Sequence, residues 1–252
     1  MMEEMKGKVA IITGATFGIG KEAAILFAEQ GIKVVAAGRS EKEGSLLIDE
    51  ILSKKGEAVF IKTDVAKEES VKQLITATVK KFGKLDLCFN NAGVEGVLAP
   101  LIDLEEKDWD STMGINLKGL WLCLKHEIPA IIKNGGGAIV NTSSIISKNG
   151  MPRTAIYAAS KAGVDALTHV AAVEYGDRKI RVNAINPGTV VTPMLERIYT
   201  QDLANLVKNK NPLQKIALPR DIANAALWLC SSYAGHINGI TLPIDGGHSL
   251  LT

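Results

Sequence analysis

The 252-residue sequence predicts an α/β fold: a doubly wound parallel sheet of seven strands with helices on both faces. Short apolar runs alternate with longer amphipathic stretches from one end to the other, as repeated strand–helix–strand units require. Several of the apolar runs carry no polar alternation, which is expected of parallel strands covered from both sides. A glycine-rich turn, Gly14 to Gly20, joins the first such run to the first amphipathic stretch.

In chain order, the strands are expected at 8–13 (KVAIIT), 34–37 (VVAA), 58–63 (AVFIKT), 85–90 (LDLCFN), 138–143 (AIVNTS), 180–187 (IRVNAINP) and 240–245 (ITLPID). Helical periodicity places helices at about 18–30, 42–55, 67–82, 105–134, 155–177 and 219–231, with Gly31, Gly56, Gly83 and Gly176 as stop signals. No Pro/Ser-rich linker interrupts the alternation, so one domain is expected over residues 1–252. Residues 189–213 form a longer connection with helical periodicity, after the sixth strand. At that edge of an open sheet it reads as a substrate lid, or as a surface excursion without function.

Apolar residues make up 46% of the chain and charged residues 22%, a balance that argues for a compact fold and against disorder. The formal net charge of +2 has no clustered basic excess, so neither nucleic acid nor membrane is expected as a partner. Cys88, Cys123 and Cys230 stand far apart in apolar surroundings and read as reduced, buried thiols, which suits the cytoplasm. The four histidines lie apart without ligand spacing, and no metal site is expected.

The turn Thr13-Gly14-Ala15-Thr16-Phe17-Gly18-Ile19-Gly20 lies between a strand and a helix. Glycines there let backbone N–H groups approach a pyrophosphate, whose charge the helix N-terminus favours. Gly14, Thr16, Phe17, Gly18, Ile19 and Gly20 are therefore candidate cofactor contacts. The second strand ends in Ala-Ala-Gly-Arg39-Ser40, where a carboxylate would receive an adenine ribose. Arg39 there suits a 2′-phosphate, so NADP(H) is preferred over NAD(H), although Glu41 and Glu43 follow closely and Arg39 also reads as a solvated loop residue. Asp64 and Val65 follow the third strand, as an adenine contact or a turn. Asn90, Asn91, Ala92 and Gly93 follow the fourth, bordering the ribose or supporting the sheet.

Tyr157 and Lys161 are four residues apart on a predicted helix and so share a face. A free tyrosine has a pKa of about 10, and an adjacent ammonium favours its phenolate. The pair reads as a general acid/base, with Ser144 or Ser143 holding a substrate oxygen, or, taken alone, as an ordinary solvated pair on a helix face.

TGATFGIG at 13–20, NNAG at 90–93, Asn116 in GINLKG, the thirteen-residue spacing from Ser144 to Tyr157, YAASK at 157–161 and NPGTVVT at 186–192 follow one another as in the short-chain dehydrogenase/reductase family, which the whole chain resembles. The resemblance implies a Rossmann-type fold and an alcohol or carbonyl substrate. It gives Tyr157 the acid/base role, Lys161 the lowering of its pKa and the nicotinamide ribose, Ser144 the substrate oxygen, and Asn116 a relaying water. Pro187, Gly188, Val190 and Thr192 would border the nicotinamide, and a homotetramer is expected. A cofactor-dependent epimerase or dehydratase, or a non-catalytic dinucleotide-binding protein, remains as an alternative. Two departures stand out: Phe17 in the glycine turn, and Val173 where relatives acting on carrier-bound acyl chains have arginine. Val190, Val191, Met194, Leu195, Ile198, Ile145, Ile146 and Met151 are the candidate apolar lining of a substrate pocket.

Overall fold

The computed structural model describes residues 2–196 and 211–251. All seven expected strands form: β1 (Val9–Thr13), β2 (Lys33–Gly38), β3 (Ala58–Lys62), β4 (Leu87–Asn90), β5 (Gly137–Thr142), β6 (Ile180–Pro187) and β7 (Thr241–Ile244). They pair in parallel in the order β3-β2-β1-β4-β5-β6-β7. The order reverses between β1 and β4, which pair Thr13 with Asn90 at their carboxyl ends. Ligands of open α/β sheets bind in the crevice outside such a switch point.

The helices are α1 (Gly18–Glu29), α2 (Glu41–Ser53), α3 (Glu68–Phe82), α4 (Glu106–Met113), α5 (Gly119–Lys133), α6 (Ala155–Tyr175), the single turn α7 (Pro193–Glu196) and α8 (Pro219–Cys230). Strand alternation assigns them to faces. Ala10, Ile12, Val34 and Ala36 point toward α1, α2 and α8, where Phe27, Leu47, Ile51 and Leu227 pack. Val9, Ile11, Val35 and Ala37 point the other way, toward Leu74, Leu124, Ile128 and Val164 of α3, α5 and α6. Burial of both faces explains why these strands carry almost no polar residues.

Two local expectations need correction. The single helix expected over 105–134 is divided: Gly114–Lys118 is a π-helical turn, in which Gly119 N–H reaches back to the Gly114 carbonyl. Such turns insert one residue into a helix and commonly mark functional positions. Of the four glycine stops, Gly31 and Gly83 adopt the left-handed conformation (φ 78° and 79°). Lys55 rather than Gly56 takes that role after α2 (φ 64°). Gly56 is small for a different reason, since a Cβ there would lie 2.6 Å from Ile51 Cγ2. Gly176 instead opens a 3-10 turn that ends in left-handed Lys179.

The lid expected over about 189–213, with Ile198, falls largely on residues 197–210, outside the described residues. Its described ends are tied together: Val191 N donates to Ala217 O at 2.9 Å, and Ala217 N to Thr189 O at 3.2 Å. Among the described residues no helix is long and apolar enough to cross a membrane.

Candidate active site

The glycine turn is fitted for a dinucleotide by what it lacks. Phe17, at the N-cap of α1, offers no side-chain acceptor to the first-turn N–H groups, and its ring is 54% exposed. Those donors and the helix dipole are left for an anion. A Cβ on Gly20 would lie 2.2 Å from the Gly14 carbonyl oxygen, so the turn closes only around glycine. Gly18 (φ 52°) meets Thr192 Cγ2, which would stand 3.1 Å from its Cβ. The distant NPGTVVT segment thus adjoins the turn. Thr16 packs against Gly38 at the end of β2, and Ile19 against the core below.

The loop after β4 locks this cradle. Asn91 Nδ2 donates to the Thr13 and Gly14 carbonyls at 3.3 and 3.4 Å, and Thr13 Oγ1 accepts from Asn91 N and Ala92 N, each at 3.1 Å. Asn91 therefore acts through the turn. Asn90 supports the sheet, donating to Glu127 and Asn141.

Beyond the end of β2, Glu41 pairs with Lys62 at 3.2 Å, and Ser40 Oγ donates to Glu43. Both neighbouring carboxylates are thereby engaged, and exposed Arg39 has no such partner among the described residues. Asp64 serves a turn, accepting from Ala66 N at 3.1 Å. Val65 is buried against Gly119, so its side chain belongs to the core.

Ser144, Tyr157 and Lys161 come together at the other end of the crevice. Ser143 and Ser144 have divergent fates: Ser143 Oγ donates to the Lys161 carbonyl at 3.0 Å, whereas Ser144 Oγ accepts from Ile146 N at 3.3 Å and lies near enough to the Tyr157 side chain to act on its ionisation. Lys161 is buried, its Nζ donating to Thr142 O at 2.8 Å and lying 5.7 Å from the centre of the Tyr157 ring. Burial draws its pKa down to about 8, with Asp165 opposing. The expected lowering of the Tyr157 pKa is not present in the protein alone. Burial holds the phenol above its usual value, the neighbouring Ser144 hydroxyl acts against this, and the Glu95 charge adds to it. Desolvating a phenolate outweighs an ammonium that sits beside the ring rather than on the oxygen.

Asn116 lies in the π turn. Its Oδ1 accepts from Val94 N at 2.8 Å, and its Nδ2 donates to Val94 O at 2.9 Å and Ser160 Oγ at 3.1 Å. Lys161 Nζ and Asn116 Oδ1 would stand 3.4 and 3.3 Å from a Gly93 Cβ, so glycine keeps the space between them open. Gly188 is confined by Asp245, whose Cβ would be 2.8 Å from its own. Beside it, Pro187 ends β6 and Val190 is buried in the bridge to Ala217.

Sequence reasoning missed four residues here. Asp165 and Glu127 are lone carboxylates on otherwise apolar helix faces, a signal that was available. Ser147, which meets Asp165, carried none, and Asn186, which also meets it, opens the NPGTVVT segment but was given no role of its own. Among the described residues no three His, Cys, Asp or Glu side chains gather as a metal site requires.

An anion cradle at one end of a switch-point crevice and a proton donor at the other define the class of dinucleotide-dependent oxidoreductases. A model of the family described as enoyl-(acyl carrier protein) reductase matches residues 14–249. The chain is 38% identical to the short chain dehydrogenase/reductase astE of Aspergillus oryzae, covering 98% of this chain and 97% of that one. It is 35% identical to a cyclohexanol dehydrogenase of an Acinetobacter species, covering 99% and 98%. It also superposes on a 7α-hydroxysteroid dehydrogenase, solved with NADH and 7-oxo glycochenodeoxycholic acid, with a TM-score of 0.93, 35% identity and coverage of 96% and 94%. The chain belongs to the short-chain dehydrogenase/reductase family. It is an oxidoreductase that transfers hydride between a nicotinamide dinucleotide and an alcohol or carbonyl group.

Proposed function

We propose that the chain, working as a single cytoplasmic domain, reduces small to medium ketones of apolar character, or oxidises the matching alcohols, with NADP(H) preferred. The observation that carries the chemistry is the convergence of Ser144 and buried Lys161 on the Tyr157 side chain. The bound nicotinamide would supply or accept the hydride. Ser144 and Tyr157 hold the carbonyl oxygen, and Tyr157, protonated at neutral pH, donates its proton to that oxygen. Lys161 binds the nicotinamide ribose and stabilises the phenolate left behind. A water in the space over Gly93, between Lys161 Nζ and Asn116 Oδ1, returns the proton from solvent. Half-buried Ile145 and Ile146, with Met151 and Val191, favour an apolar substrate. Exposed Val173 presents no cation to a carrier protein, which supports a free small molecule.

A screen of ketones, aldehydes, sugars and secondary alcohols with both cofactors, followed by reduced-nicotinamide absorbance, tests this reading. Tight copurified cofactor with no net turnover would favour an epimerase or dehydratase. Arg39 supports NADP(H), because its guanidinium is uncompensated while Glu41 and Glu43 are engaged. Arg39→Ala is expected to raise KM for NADPH by roughly ten- to a hundredfold, the loss of one charge-assisted phosphate contact, and to leave KM for NADH near wild type. Equal use of NADH by the wild type would refute the preference.

A homotetramer is part of the proposal. Trp109, Trp121, Val170 and Val173 are exposed on α4, α5 and α6, and Leu250 and Leu251 at the C-terminal end. Apolar groups so placed fit contacts between copies. Light scattering should give four times the chain mass, and a monomer would refute it. The buried thiols Cys88, Cys123 and Cys230 form no disulfide, which supports the cytoplasmic assignment.

A further inference from the structure

One turn beyond Lys161, α6 carries a second buried ionisable residue, Asp165, which is 7% exposed. Its Oδ2 accepts from Ser147 Oγ at 2.6 Å, in the range of a charge-assisted O–H···O⁻ bond. Ser147 Oγ lies 3.0 Å from Asn186 Nδ2. Because the single hydroxyl proton is given to the carboxylate, Ser147 accepts from Asn186, and the chain runs from Asn186 through Ser147 to the anion. Asn186 Nδ2 also donates to the Ser144 carbonyl at 3.0 Å and approaches both carboxylate oxygens, at 3.3 and 3.5 Å.

Three segments meet in this network, and each carries part of the proposed site. Ser144 to Ser147 is the turn that presents the Ser144 hydroxyl. Asn186 precedes Pro187 and Gly188, at the end of β6. Helix α6 holds Tyr157 and Lys161. A polar network that only filled space would have no reason to end on a carboxylate, which is costly to bury unless its charge is compensated.

The nearest positive charge is that of Lys161, four residues back on the same helix face, which acts on Asp165 through space without an ion-pair contact. Facing Lys161 are also Tyr157 on its own helix, the uncharged Thr142 carbonyl of β5 and uncharged Asn116 of the π turn. Glu95, from the loop after β4, acts on Tyr157.

We propose that Asp165 is a positioning residue of this active site: through Ser147 and Asn186 it holds the Ser144 turn against α6, and it is the internal counter-charge of the Lys161 ammonium. The inference rests on the roles assigned above to Ser144, Tyr157 and Lys161. Burial draws the Lys161 pKa to about 8 and Asp165 works against that, so removing the charge moves the midpoint further down.

The test compares wild type, Asp165→Asn, Ser147→Ala and Tyr157→Phe. The titration of Lys161 is followed by NMR of ¹³Cε-labelled lysine in the cofactor-free protein and assigned with Lys161→Arg. The pH profile of kcat and the KM are measured on a ketone the wild type turns over. Asp165→Asn should lower the Lys161 midpoint by about one unit, and the alkaline limb of kcat should move with it. Ser147→Ala keeps the charge, so the midpoint should stay in place while kcat falls roughly ten- to a hundredfold from misplaced Ser144. An unmoved midpoint in Asp165→Asn overturns the counter-charge, and wild-type kcat in Ser147→Ala overturns the positioning. If Asp165→Asn does not fold, Asp165→Ser is titrated in its place for the counter-charge, and Ser147→Ala decides the positioning. Activity retained in Tyr157→Phe would defeat the underlying reading; an inactive Tyr157→Phe beside a wild-type-like Asp165→Asn defeats only this inference.

Discussion

Tyr157→Phe is expected to lower kcat for carbonyl reduction by roughly 10²- to 10⁴-fold while leaving cofactor binding unchanged. That range is what a positioned general acid contributes. The substitution removes the hydroxyl that meets Ser144 and keeps the ring against which Lys161 lies. Cofactor affinity should therefore survive, as read by fluorescence of the bound reduced nicotinamide. Burial and Glu95 keep the phenol protonated, so without cofactor the protein is set as a proton donor. Alcohol oxidation needs the phenolate, and only positive charge near the oxygen can supply it, from Lys161 below about pH 8 and from an oxidised nicotinamide. Full reductase activity in Tyr157→Phe across a ketone panel would show that another group protonates the substrate.

The second large effect concerns stability and lies behind the crevice. Glu127, on α5, is completely buried, and its Oε2 accepts from Asn90 Nδ2 at 2.9 Å. Its Oε1 has no partner. Burial raises its pKa from 4.5 to about 7, against the Asn90 hydrogen bond and the neighbouring Cys88 thiol. Between those values the folded state binds more protons than the unfolded state, so this residue's contribution is greatest below pH 4.5 and is lost as pH rises through about 7. A separation of about 2.5 units corresponds to about 3 kcal/mol. Glu127→Gln keeps the shape and an acceptor for Asn90 but never ionises. It should match wild type near pH 4.5 and exceed it by about 3 kcal/mol at pH 8, measured by urea unfolding at both pH values. A difference of the same size at both would mean that ionisation is not the cause.

Much of this molecule is written locally. Strand positions followed from unbroken apolar runs, because a parallel strand covered on both faces has no solvent side to record. Helical spacing made a Tyr157–Lys161 pair possible, the glycine turn and NPGTVVT gave it weight, and the turn itself followed from its place between a strand and a helix. The resemblance to a known family then selected Ser144 over Ser143. The structure supplies a physical reason: the Ser143 hydroxyl is spent on the Lys161 carbonyl. The division of the helix at Asn116 was hidden, because residues 105–134 keep their apolar periodicity across the π turn.

What the sequence by itself determined is therefore the order of elements and the place of the glycine turn, set by sterics and periodicity within a few neighbouring residues, while the candidate reacting side chains were named through the family resemblance. Only the tertiary structure decided their electrostatic state. Whether Tyr157 is acid or base depends on desolvation and on Glu95, 62 positions earlier. Whether Arg39 is free for a phosphate depends on Lys62, which engages Glu41 from another strand. The Lys161 charge depends on Asp165, which is held by Ser147 and Asn186 from two other segments. Charges interact across space through whatever medium the fold places between them, and no local window of sequence contains that medium.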